Sequence, residues 1–210
     1  MDWTAHVDGY CERLAPGLWG EPLNDLTNLA FLLAAGLVWW RGGRVLGGLI
    51  GLIFVASSVF HLVATRWAAV ADSSAIAVFL LYYAAMFPRA FFGVPLRWSW
   101  LAAPGFAVLT AAIAALGGGL YLPALVGLAA FAVALGVMRD RYWTHFAVAG
   151  AVFALSLAFR SIDSVVCGDF SVGTHILWHL LNAVVLYVVS NAMIAKTAPS
   201  PEGERAGSAD

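Results

Sequence analysis

Polar residues interrupt this chain at short, widely spaced intervals. Between them run seven mostly apolar stretches, at about 24–40, 44–65, 70–92, 98–117, 119–138, 142–160 and 174–195. The interruptions read "RGGR" at 41–44, "RW" at 66–67, "PRAFFGVPLR" at 88–97, "GGG" at 117–119, "RDR" at 139–141 and "SIDSVVCGDFSVG" at 161–173. A helix that crosses the hydrocarbon core needs roughly 20 mostly apolar residues, and lipid tolerates no unpaired backbone. The pattern therefore predicts an all-α integral membrane protein, a seven-transmembrane helix bundle. Residues 1–23 form an N-terminal segment outside the membrane, 24–195 the membrane domain, and 196–210 a polar, small-residue-rich tail expected to be disordered.

Composition strengthens this picture. Of 210 residues, 62% are hydrophobic and 11% charged, whereas a soluble domain carries about 25% charged residues. A net charge of −1 argues against a nucleic-acid partner, which calls for a basic face. The first 23 residues hold Asp2, Asp8, Glu12 and Glu21 and no long apolar run, so no cleaved signal peptide is expected.

Basic residues set the expected orientation. With the N-terminus outside and the C-terminus inside, the inner loops and tail hold Arg41, Arg44, Arg89, Arg97, Arg139, Arg141, Lys196 and Arg205. The outer side holds only Arg13, Arg66 and Arg160. This is a positive-inside bias. It puts His61 near the outer end of the second span, Asp72 near the outer start of the third, and His175 and His179 in the first turns of the seventh. Polar groups from three helices thus share one depth.

That depth is where chemistry is expected. His175 and His179 are four residues apart and share a helical face, and Ser57 shares a face with His61. Three neutral imidazoles with an open fourth position suit catalytic zinc. Asp72 could take a proton from water, and Ser57 could hydrogen-bond a developing oxyanion. Taken singly, each has a plainer use: a histidine as a helix-packing hydrogen-bonder, Ser57 as a small packing residue, Asp72 as an interfacial group. Their shared depth favours a metal site, because ionisable groups inside a membrane are costly. His6 and His145 read as solvent or interface residues, and Arg160 as an ion-pair partner of Asp163 one turn on.

The same residues carry a family resemblance. Ser57-xxx-His61, Asp72 eleven residues later and His175-xxx-His179 in "HILWH" resemble the alkaline ceramidase family, part of a wider group of seven-span hydrolases that includes the adiponectin receptors. "EPLNDLTNLAFL" at 21–32 is similar to that family's Glu-x-x-Asn-x-x-Ser-Asn segment, and "SIDSVVC" at 161–167 to its Ile-Asp-x-x-x-Cys segment. The resemblance implies zinc on His61, His175 and His179, with Asp72 and Ser57 acting on the amide of an N-acyl sphingoid (ceramide-like) lipid drawn from the bilayer. It implies a disulfide between Cys11 and Cys167, consistent with an oxidising outer face. It also implies a calcium site on Glu12, Glu21 and the backbone carbonyl of Tyr10. There the chain departs from the family pattern, with Gly9 in place of an aspartate and Leu14 in place of an asparagine; Asp8 or Asn24 would compensate.

The competing expectation is a zinc-containing sensor or receptor of the adiponectin-receptor type with little turnover. The loops and tail offer little room for a signalling domain. A metal transporter would need polar residues through the full membrane depth, and the fourth and fifth stretches contain almost none. A haem site fits less well than zinc beside a third histidine and Asp72. High Ala, Gly and Trp with a single Lys point to a bacterial plasma membrane, with the site facing outward.

Overall fold

The computed structural model describes residues 2–7, 9–13 and 18–198. The predicted tail beyond Ala198 and the residues Asp8 and Leu14 lie outside that set. The described chain is all-helical. In order it forms α1 (Pro22–Thr27), α2 (Leu29–Trp40), α3 (Arg44–Val63), α4 (Arg66–Phe92), α5 (Leu96–Ser99), α6 (Ala102–Ala115), α7 (Leu122–Val137), α8 (Trp143–Val166) and α9 (His175–Thr197).

Six helical stretches are long and apolar enough to cross a membrane: Pro22–Trp40, Arg44–Val63, Arg66–Phe92, Leu96–Ala115, Trp143–Val166 and His175–Thr197. The fifth predicted span is α7, only 16 residues. At 1.5 Å per residue it reaches about 24 Å, short of the roughly 30 Å hydrocarbon core. The predicted break at 161–173 is also shorter than expected. Helix α8 runs on to Val166, so Asp163 lies within it.

The helices pack as a ring: α2 on α3, α3 on α4, α4 on α6, α6 on α7, α7 on α8, α8 on α9, and α9 back on α2. At Gly47 the α2 and α3 backbones approach so closely that a Cβ would lie 2.9 Å from the Ala35 carbonyl oxygen. Inside the ring, Phe87 stacks on Phe131 with centroids 3.6 Å apart and meets Phe146 edge-on. The Tyr83 hydroxyl donates to the Val189 carbonyl at 2.9 Å. In contrast, α6 buries none of its residues, and large apolar side chains such as Leu33, Val108, Leu116 and Val133 face outward. An apolar exterior around an aromatic core is what a lipid solvent calls for.

Helix α4 contains Pro88, which removes an intrahelical donor and crowds the preceding turn. Ser99 repairs the ladder. Its hydroxyl accepts from Arg89 N–H at 3.0 Å and donates to the Ala85 carbonyl.

Candidate metal centre

One end of the ring gathers the polar residues that the sequence singles out. His61 sits in the last turn of α3, His175 and His179 in the first turns of α9, and Glu21, Asn24 and Thr27 at the start of the first span. All three imidazoles are buried, each no more than 2% exposed. One nitrogen from each lies within 4.8 Å of the others.

Hydrogen-bond partners assign two of the tautomers. His61 Nδ1 lies 2.5 Å from Glu21 Oε2, a carboxylate that only accepts. His179 Nδ1 lies 3.0 Å from the Asn24 carbonyl oxygen and 2.9 Å from Thr27 Oγ1. Thr27 donates its own proton to Asn24 O at 2.8 Å, so it too accepts from His179. Both Nδ1 atoms therefore carry hydrogen, and both neutral rings present the Nε2 lone pair. Those two Nε2 atoms face each other at 3.1 Å.

Two lone pairs at that separation repel unless a cation lies between them. A single proton would serve two nitrogens, but a third imidazole converges here. His175 Nδ1 is buried with no hydrogen-bond partner among the described residues. Three converging imidazoles, one of them with an unpartnered ring nitrogen, fit a divalent metal.

A shell of contacts holds the donors. Glu21, 1% exposed, also accepts from Arg13 Nε at 2.6 Å and from Asn24 Nδ2 at 3.1 Å. Arg13 donates a second bond to the His61 backbone carbonyl at 2.6 Å. One buried guanidinium thus grips His61 from two sides, directly at its main chain and through Glu21 at its ring. Tyr10 stacks flat on His175, with centroids 3.6 Å apart. Burial raises the Tyr10 phenol above its ordinary pKa, so it stays neutral.

The third support comes from the loop before α9. Cys11 and Cys167 form a disulfide, with Cα atoms 5.1 Å apart. Asp163 accepts from Cys11 N–H at 3.0 Å, Thr174 N–H at 2.6 Å and His175 N–H at 2.9 Å. It therefore ties the N-terminal segment to the start of the histidine helix. Gly173 has φ +71°, and a Cβ there would lie 2.2 Å from Asp163 Oδ1, so only glycine fits. The expected Arg160–Asp163 pair does not form: main-chain amides occupy Asp163, and Arg160 turns away to stack on Tyr121 and Trp178.

Ser57 is buried one turn before His61. The Asp72 carboxyl, near the start of α4, meets the Ser57 hydroxyl and lies within reach of the His61 and Arg160 charges. Its Oδ1 is buried without a hydrogen-bond partner among the described residues. His6 is exposed on the N-terminal segment, where Val7 N–H bonds the Ala64 carbonyl at 2.8 Å. His145 lies at the far end of the ring.

Of the expected calcium ligands, Glu12 and Glu21 have protein partners, Asn24 Oδ1 is buried without one among the described residues, and Asp8 lies outside that set. Calcium wants 6–8 oxygens around one point. Glu12 accepts from Leu23 N–H at 2.7 Å and Asn24 N–H at 2.8 Å, and so caps the first span. Glu21 serves His61 and Arg13, and the Asn24 carbonyl serves His179 and Thr27. Tyr10 contributes its ring to His175. Glu21 also faces the cationic Arg13 guanidinium.

Comparison with known protein families, characterised proteins and solved structures finds no match to this chain. The functional reading therefore rests on the site itself and on the motif resemblance.

Proposed function

We propose that this chain is a multi-pass membrane amidohydrolase. In this reading His61, His175 and His179 hold zinc, and the chain cleaves the amide bond of an N-acyl lipid, with ceramide-like N-acyl sphingoid bases as the reference substrates. The observation that carries it is the pair of Nε2 atoms at 3.1 Å, each on a ring whose Nδ1 already has an acceptor. A ring nitrogen of His175 lies within 4.8 Å of a nitrogen on each of the other two rings, so the three side chains would hold one zinc ion.

Zinc in such a site supplies a Lewis acid that brings the acidity of water to near pH 7. The chain's own groups do the rest. Asp72 accepts a proton from the attacking water and delivers it to the leaving amine nitrogen. Ser57 donates a hydrogen bond to the amide oxygen as it gains negative charge. Glu21 and the Asn24 carbonyl fix the ring orientations and raise ligand basicity. A narrow apolar cavity lined by Phe31, Ile53, Phe79, Tyr83, Phe131 and Trp178 is suited to an acyl chain entering between helices.

The reading includes seven spans, with the short α7 as the fifth; the distribution of Lys and Arg supports placing the histidine end outside, and the composition a bacterial plasma membrane. The test is fatty-acid release from a panel of ceramides by purified protein. Release that His175→Ala abolishes supports the hydrolase. Metal retention without release on any lipid amide would favour a sensor.

A further inference from the structure

A second polar cavity opens beside the histidines. It is lined by Tyr10, Asp72, Ser73, Tyr121, Arg160 and Ser164, among others. Arg160 is its only basic residue. Its guanidinium carbon lies 4.7 Å from the Tyr121 ring centroid and 5.5 Å from that of Trp178. Its cation lies against the two rings and its side chain also meets the Tyr121 hydroxyl, which leaves Nε without a partner among the described residues.

The guanidinium lacks a matching acid. Arg160 forms no ion pair among the described residues, and its Nε is buried without a hydrogen-bond partner. Asp163, which also lines this cavity, is taken by three main-chain amides. Asp72 feels the Arg160 charge without pairing with it. A stacked guanidinium in a cavity of hydroxyls, next to the carboxylate assigned to proton transfer, is an oxyanion receptor by its chemistry.

We propose that Arg160 binds an oxyanion carried by the lipid ligand, so that the preferred substrates are N-acyl amides with an acidic head, such as N-acyl amino acids, over neutral ceramides. This rests on the hydrolase reading for turnover, but binding tests it separately. The same guanidinium would also take the carboxylate that hydrolysis releases, and the experiment separates these two sources.

The experiment has a binding arm and a turnover arm, both on the full chain in detergent with its metal bound. Binding is read as the thermal midpoint shift of the Asp72→Asn variant with N-palmitoylglycine, palmitate or N-palmitoylethanolamine. The expected result is a shift with N-palmitoylglycine, none with the neutral ethanolamide, and loss of the shift in Asp72→Asn/Arg160→Gln, with partial return in Asp72→Asn/Arg160→Lys. A shift with palmitate as large as with N-palmitoylglycine assigns the anion site to the released carboxylate. In turnover, kcat/KM for N-palmitoylglycine should exceed that for the ethanolamide by about tenfold, worth about 1.4 kcal/mol, and Arg160→Gln should bring that ratio near one.

Equal shifts for neutral and acidic ligands, untouched by Arg160→Gln, overturn the anion site even if ceramide is cleaved. An Arg160-dependent shift without cleavage of any amide keeps the site and removes the hydrolase.

Discussion

Glu21 Oε2 lies 2.5 Å from His61 Nδ1, although the two residues are 40 positions apart, one just before α1 and the other in the last turn of α3. This contact converts His61 from a histidine buried in a membrane protein into an oriented donor. It fixes the proton on Nδ1, leaves Nε2 for a metal, and matches the carboxylate–histidine arrangement common behind metal ligands. Replacing Glu21 with Gln should weaken metal binding by about 10- to 100-fold, in line with the loss of such outer partners. A chelator competition titration against the wild-type protein checks it.

Arg13 is buried with Glu21 and also holds the His61 carbonyl. Arg13→Met leaves the Glu21 carboxylate buried without its cation, a change that typically costs about 3–5 kcal/mol. Thermal unfolding in detergent should show a clear loss of stability. Metal affinity should fall in the same variant, because both grips on His61 loosen. Retained affinity would mean that Glu21 alone orients the ring.

The Cys11–Cys167 bridge closes a loop with a sequence separation of 156. Its removal in Cys11→Ser/Cys167→Ser should cost about 2–5 kcal/mol, as for other native disulfides. The Asp163 contacts should hold the loop in part. The combined variant with Asp163→Asn should therefore lose more than either change alone, which a double-mutant cycle on the unfolding free energy would show.

Gly173→Ala should be destabilising out of proportion to a single methyl. It places a Cβ against Asp163 Oδ1 at a positive φ. The expected readout is a lower unfolding midpoint together with weaker metal binding, since Asp163 also anchors the first turn of α9 at His175.

Asp72→Asn should retain the metal and lose turnover by about 100-fold or more, the usual contribution of a positioned proton-transfer group. Metal analysis and fatty-acid release on one sample separate the two effects. Full activity would remove Asp72 from the chemistry.

Much of the helical plan was legible because the bilayer imposes a simple rule on apolar length. The meeting of His61, His175 and His179 was legible for a related reason: charge counting put them at one depth, and the HxxxH spacing put two on one face. What supports them was not. Glu21 reads locally as a charged residue before Pro22, and its partner is 40 residues away, so no periodicity could reveal it. Arg13 gave no signal for the same reason. Arg160 and Asp163 look like a helical ion pair by spacing. The pair fails because the loop folds three main-chain amides onto Asp163, a demand that side-chain spacing does not report. The short α7 also reads as a full span until its ends are placed.

The most direct measurement is the metal content of purified protein by elemental mass spectrometry, for the wild type and for His61→Ala, His175→Ala and His179→Ala. About one zinc per chain in the wild type, and near none in each variant with its helical content intact, is the expected result. No bound metal in wild-type protein prepared with zinc, or zinc that survives all three substitutions, would contradict the metal centre and the function built on it.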